Sequence, residues 1–208
     1  LSQHSLPAPR KRFAPLMIVA GLVGALLLSL SMTGTLSAFT AAITNTTNTA
    51  ASGSLILREV SGANNCISTD STASCATINK YGGSTTLVPS DGTVNTSVTT
   101  VNFTNTGTAT ATSFTLKANA CTQSGTGTAT DFCTKLNVKI VSGSTTLFNG
   151  NATTLATQTA TTPIALTIPT PNAATTVPVT FTVWLDASAG NTYQSLAASQ
   201  PLVWTLST

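Results

Sequence analysis

The sequence predicts an all-β chain, an antiparallel β-sandwich or jelly roll preceded by an N-terminal hydrophobic signal helix. Three observations carry this expectation. From Ser54 onward, apolar residues alternate with polar ones and do not recur every three or four positions. Thr, 44 of the 208 residues, fills the alternate positions, where a β-branched side chain packs well on a pleated surface. Gly, Asn, Ser and Pro turns separate the runs, and no convincing amphipathic helix interrupts them.

Residues 1–38 read as a cytoplasmic leader and secretory signal. Basic Arg10-Lys11-Arg12 precedes an apolar run from Leu16 to Leu28, and a more polar stretch ends at Ser37-Ala38. The segment 14–38 would span about 37 Å as a helix, long enough to cross a bilayer if kept as an anchor. Gly, Ser and Thr dilute its second half, and the composition turns to Thr and Asn after Ala38, so cleavage is expected between Ala38 and Phe39. The basic flank stays cytoplasmic, which puts everything after residue 38 outside, extracellular or at the cell surface. Residues 1–9 support no functional conclusion.

Charge excludes several functions. Charged residues make up 6% of the chain, against roughly 25% in an average soluble domain. Three of the eight basic residues sit in the leader, which leaves five basic and five acidic groups beyond it, so the net charge of +3 belongs to the leader. Five scattered cations make no field for displacing counterions, so nucleic acid is not expected as a partner. The membrane is expected to meet the chain only through the signal segment.

The exported part divides into an extended arm, 39–53, and a β-domain, 54–208. The longest strand pattern places Val177, Val179, Phe181, Val183 and Leu185 on one face, with Pro178, Thr180, Thr182 and Trp184 on the other. Shorter runs are Leu55-Ile56-Leu57 with Val60, Val101 with Phe103, Phe114 with Leu116, and Leu136 with Val138 and Ile140. Ile164 with Leu166 and Ile168, and Leu202 with Trp204 and Leu206, complete them. Loops are expected at 61–83, 123–131 and 149–161, the last rich in Thr and Ala.

All four cysteines, Cys66, Cys75, Cys121 and Cys133, lie in the exported part. An even count in an oxidising compartment points to two disulfides, and local pairing, Cys66 with Cys75 and Cys121 with Cys133, is the cheapest of three connectivities. A zinc site is the rival, but no Cys-x-x-Cys spacing is present and the exported part has no His.

The same count bears on catalysis. The sole histidine, His4, precedes the signal, so neither a His-based triad nor a His-Glu-x-x-His metal site is available. Glycoside hydrolysis would need two opposed carboxylates from Glu59, Asp70, Asp91, Asp131 and Asp186, each of which reads more simply as a turn or surface residue. Asp186 with Asn191 is a thin calcium candidate. Trp184, Trp204 and Tyr193 are candidate glycan-binding aromatics, although Trp on strands more commonly packs in a core or interface. No cofactor and no enzymatic activity are expected.

The junction Ser37-Ala38-Phe39-Thr40-Ala41-Ala42-Ile43, then Ala51-Ser52-Gly53-Ser54-Leu55-Ile56-Leu57, resembles the start of the TasA/camelysin family. Those are exported matrix-fibre and cell-surface proteins whose signals a SipW-type peptidase removes. Leu87-Val88-Pro89-Ser90-Asp91-Gly92 followed by Val101-Asn102-Phe103-Thr104-Asn105-Thr106-Gly107 is similar to the family's turn and following strand, as is Asn191-Thr192-Tyr193-Gln194 before the terminal strand. The turn here reads Pro-Ser-Asp-Gly, the cysteines are not a family hallmark, and Thr replaces the family's usual charge. The resemblance implies a jelly-roll subunit of an extracellular fibre, a SipW-type signal peptidase as export partner, and self-association. Some members have been described as metalloproteases, a role for which this chain lacks the ligands.

Independently of any family, a low-charge strand protein with an extended polar arm suits strand addition between copies. Phe39 and Ile43 are the only large apolar residues of the arm and share one side of an extended chain, so they are the expected donor-strand anchors. The competing reading is a monomeric surface or wall-attached module that recognises glycan.

Overall fold

The computed structural model describes residues 19, 21–23, 49–69, 74–83 and 85–208. The chain divides into two compact units, Leu1–Ala50 and Ala51–Thr208. In the first, the described residues Val19 and Gly21 to Val23 are helical and exposed. The Ala38 and Phe39 junction, Ile43 and Asp70 lie outside the described residues. No helix among the described residues is long and apolar enough to cross a membrane.

The second unit is an all-β sandwich with antiparallel sheets. Its large sheet runs in the order β2 (Asn64–Ile67), β1 (Leu57–Ser61), β4 (Ser97–Asn105), β10 (Val177–Asp186), β7 (Leu136–Ser142), β8 (Thr145–Asn151). A two-residue strand, β3 (Pro89–Ser90), pairs with the end of β10 in parallel. The opposing layer has three strands, β12 (Leu202–Ser207), β5 (Ser113–Ala118) and β9 (Ile164–Ala165). β11 (Leu196–Ser199) and β6 (Thr122–Gly125) form a ribbon of their own. Each precedes or follows a strand of the three-stranded layer, and the amide of Asn119 donates to the carbonyl of Pro201 at the break between them.

Period-2 alternation decides what each strand buries. Val177, Val179, Phe181, Val183 and Leu185 are buried, while Pro178 is exposed and Thr180, Thr182 and Trp184 half-buried, the two faces the sequence predicts. Val101 and Phe103 on β4 and Leu136, Val138 and Ile140 on β7 complete the inner face of the large sheet. Phe114 and Leu116 on β5 meet it from the other layer, with Phe103 and Phe114 edge to face at 5.3 Å. Trp204 closes the aromatic cluster, 4.3 Å from Phe103 and 6.1 Å from Phe181 between ring centroids.

The structure corrects three expectations. The segment 149–161 is not a loop: it finishes β8 and forms a ten-residue helix, α2 (Ala152–Thr161), after a shorter helical turn, α1 (Phe132–Lys135). Asn151 caps α2 by accepting from the amide of Thr154 at 2.8 Å. Ala152, Leu155 and Thr159 form its buried face at i, i+3 and i+7, and a Thr in the last of these places hides the apolar stripe from a hydropathy reading. The Thr159 hydroxyl accepts from the amide of Ala118 at 2.9 Å and donates to the carbonyl of Leu155 at 2.8 Å, which bonds the helix to β5. Secondly, β2 and β6 occupy parts of the expected loops 61–83 and 123–131, because each finds a partner strand. Thirdly, Glu59 is not a surface residue at a strand end. It sits mid-strand on β1 and is 7% exposed.

Candidate functional site

The three-stranded layer is incomplete. Among the described residues β12 pairs only with β5, so its other edge is open. Hydrogen bonds in an antiparallel pair alternate along each strand, and the bond from Asn119 to Pro201 shows that odd-numbered residues of β12 face β5. The amide and carbonyl groups of Leu202, Trp204 and Leu206 therefore point to the open edge. Their side chains face the core yet stay half-buried, whereas the matching residues of β5, Phe114, Leu116 and Ala118, are buried.

A cavity of about 510 Å³ adjoins this edge, with Leu57, Glu59, Cys66, Ile78, Gln200 and Trp204 among its walls. The segment 74–83 lies along it and is fastened at three points. The Cys66–Cys75 disulfide closes one end. Lys80 Nζ donates to Glu59 Oε1 at 3.0 Å, with both side chains about nine-tenths buried. The Tyr81 hydroxyl donates to Gln200 Oε1 at 2.5 Å, and burial pushes its phenol well above the ordinary tyrosine value. Tyr81 also borders a second cavity of about 650 Å³, whose walls include Leu87, Phe132, Leu185, Tyr193 and Leu196.

The domain's first residues are fixed just before β1. Asn105, fully buried at the end of β4, accepts from the amides of Gly107 at 3.0 Å and Ile56 at 3.5 Å, and donates to the carbonyl of Ala109 at 2.9 Å. The amide of Ala109 donates to the carbonyl of Ser54 at 2.9 Å. A side chain at position 107 would place its first carbon 2.1 Å from that carbonyl oxygen, so this crossing requires Gly. Asn105-Thr106-Gly107 is thus the device that holds residues 54–56.

Both expected disulfides are present, Cys66 with Cys75 and Cys121 with Cys133, and no described cysteine is free. Glu59, Cys66 and Cys75 place ligand-type atoms within 4.8 Å of one another, but the two sulfurs are bonded to each other and one carboxylate oxygen is taken by Lys80. As it stands, the group is a disulfide beside an ion pair.

The remaining carboxylates act in turns. Asp91 accepts from the Thr93 hydroxyl at 2.6 Å and amide at 2.9 Å, which holds its carboxyl below the usual range. Asp131 and Asp186 lie at one end of the domain, both near Lys135. Tyr193 donates to Asp131 at 2.6 Å and Ser188 to Asp186 at 2.5 Å, so hydrogen bonds push both carboxyls down. The same bond raises the Tyr193 phenol. A glycosidic acid needs a raised carboxyl, and neither residue has one. Asp186 takes Ser188 and Asn137 as partners, while Asn191 accepts from Gln194.

Nor do the three aromatics form one platform. Trp204 faces the core of the sandwich, Trp184 lies on the outer face of the large sheet against Gly92, and Tyr193 ends a short 3-10 turn with its hydroxyl on Asp131. Sequence reasoning missed Glu59, Lys80, Tyr81 and Gln200 as neighbours of Trp204. Leu57, Glu59 and Ser61 share the inner side of β1, a period-2 signal that Val60 on the opposite side obscures. No family model matches the chain, and no curated protein matches it.

Proposed function

We propose that the chain is a secreted structural subunit of an extracellular fibre, of the biofilm-matrix or pilus-like kind, and that it assembles by β-strand donation. The supporting observation is the open edge of β12. Leu202, Trp204 and Leu206 there direct both backbone groups outward and carry half-buried apolar side chains, and the first two line a cavity. An edge of that kind pairs readily with another strand unless it is charged, kinked or covered, and Leu202, Val203, Trp204, Thr205 and Leu206 include no charge and no Pro.

The donor on this reading is the arm 39–53 of a neighbouring copy, with Phe39 and Ile43 as anchors after cleavage at Ala38 by a signal peptidase of the SipW type. Two disulfides suit the oxidising surroundings such a fibre meets. The sandwich is read as a jelly roll of the TasA/camelysin type, located outside the cell or on its surface, with a structural and not a catalytic role.

Negative-stain microscopy of the exported form beginning at Phe39 tests the proposal. Fibres that lengthen with concentration are expected. Discrete particles at every concentration would overturn it, and particles whose elution shifts with added wall glycan would favour the monomeric binding module instead.

A further inference from the structure

Three buried side-chain atoms among the described residues have no hydrogen-bond partner, and two of them, Glu59 Oε2 and Trp204 Nε1, belong to residues that line the cavity beside β12. Their chemistry is complementary. An ionised carboxylate oxygen only accepts, and an indole N–H only donates. Both residues flank one ring: Glu59 is the register partner of Phe103, and Trp204 rests on Phe103 at 4.3 Å. Buried polar atoms are normally paired, and a carboxylate with one bonded and one unbonded oxygen is an acceptor waiting for a donor.

A group that satisfies both atoms must accept and donate at once. A primary carboxamide does so with two separate atoms. On an extended arm, Phe39, Ala41, Ile43, Asn45 and Thr47 share one side, and Asn45 is the only carboxamide among them. With Asn45 opposite Trp204, Ile43 falls opposite Leu202 in a parallel pairing or Leu206 in an antiparallel one. An apolar anchor therefore meets an apolar seat in either direction.

We infer that the groove beside β12 reads a carboxamide, supplied by Asn45 of a neighbouring copy's arm: Trp204 Nε1 donates to its Oδ1, and Glu59 Oε2 accepts from its Nδ2. The inference rests on the strand-donation reading and adds to it the residues that select the arm and fix its register.

The unit 51–208 holds both disulfides and every residue of the core cluster, so it folds without the arm. Peptides covering 39–51 are titrated into it by calorimetry, in the natural sequence and as Asn45→Ala, Asn45→Asp and Thr47→Val. The natural peptide should bind, Asn45→Ala should bind roughly tenfold more weakly, as expected for loss of a hydrogen bond to a charged group, and Asn45→Asp should be weaker still because it sets a carboxylate against Glu59. Thr47→Val should bind like the natural peptide. In the Trp204→Phe domain the difference between the natural and Asn45→Ala peptides should shrink. Equal binding of the natural and Asn45→Ala peptides overturns the inference and leaves strand donation standing. So does a loss confined to Thr47→Val, or an Asn45 effect unchanged by Trp204→Phe. Failure of the natural peptide to bind overturns both.

Discussion

On the strand-donation reading, replacing Ile43 by Asn removes the apolar anchor that faces β12 and leaves the arm's backbone able to pair. The open edge of β12 offers the amide and carbonyl groups of Leu202, Trp204 and Leu206, about six hydrogen bonds worth about 1 kcal/mol net each. Ordering five arm residues costs about 5–10 kcal/mol, so the backbone terms roughly cancel. The surplus comes from the side chain that this register seats on β12: burying Ile43 contributes about 1.5–3 kcal/mol. Loss of that surplus should raise the concentration needed for assembly by about 10 to 10². Sedimentation of the chain beginning at Phe39 across a concentration series reads this directly, with far-ultraviolet circular dichroism to confirm an unchanged β-domain. If the Ile43→Asn variant pellets at the same concentration as the natural protein, hydrogen bonding alone drives the contact and the anchor argument is wrong.

Two further outcomes follow from the same groove. The loop closed by Cys66 and Cys75 has a sequence separation of 9, which in the chain-entropy model corresponds to about 2.6 kcal/mol. Cys66→Ala with Cys75→Ala should therefore lower the thermal midpoint by about 5–10 °C, and a calorimetric change below about 1 °C would show that segment 74–83 is held by other contacts. The phenol of Tyr81 is raised by burial, so the folded state keeps it neutral where the unfolded chain ionises. Its contribution is intact below a pH of about 10 and declines above that by about 1.4 kcal/mol per pH unit. Urea unfolding from pH 8 to 11 should show a slope that Tyr81→Phe reduces, and identical slopes in the two proteins would place the alkaline sensitivity elsewhere.

Much of the fold was legible in the residues, for reasons particular to each element. β10 was clear because five apolar residues alternate without a break over Val177 to Leu185 and both faces keep one character. The disulfides were clear because local loops cost the least entropy to close. α2 was not, since its buried face is Ala152, Leu155 and Thr159, and the Thr159 hydroxyl is satisfied only by β5 and its own preceding turn. Glu59 was misread because a lone acid in a strand looks exposed until Lys80, 21 residues away, is brought onto it.

The sequence by itself determined the class of structure, the cysteine partners and the absence of histidine beyond residue 38, all of which depend on local pattern or on composition. Only the tertiary structure decided which strand is left at an edge, which groups that edge presents, and which polar atoms are buried beside it. The physical reason is that a strand's periodicity fixes which side chains share a face but says nothing about its neighbours. Strand order is set by packing across the whole domain, where Phe103, Phe114, Phe181 and Trp204, far apart in the chain, meet in one cluster and leave β12 with a single partner among the described residues.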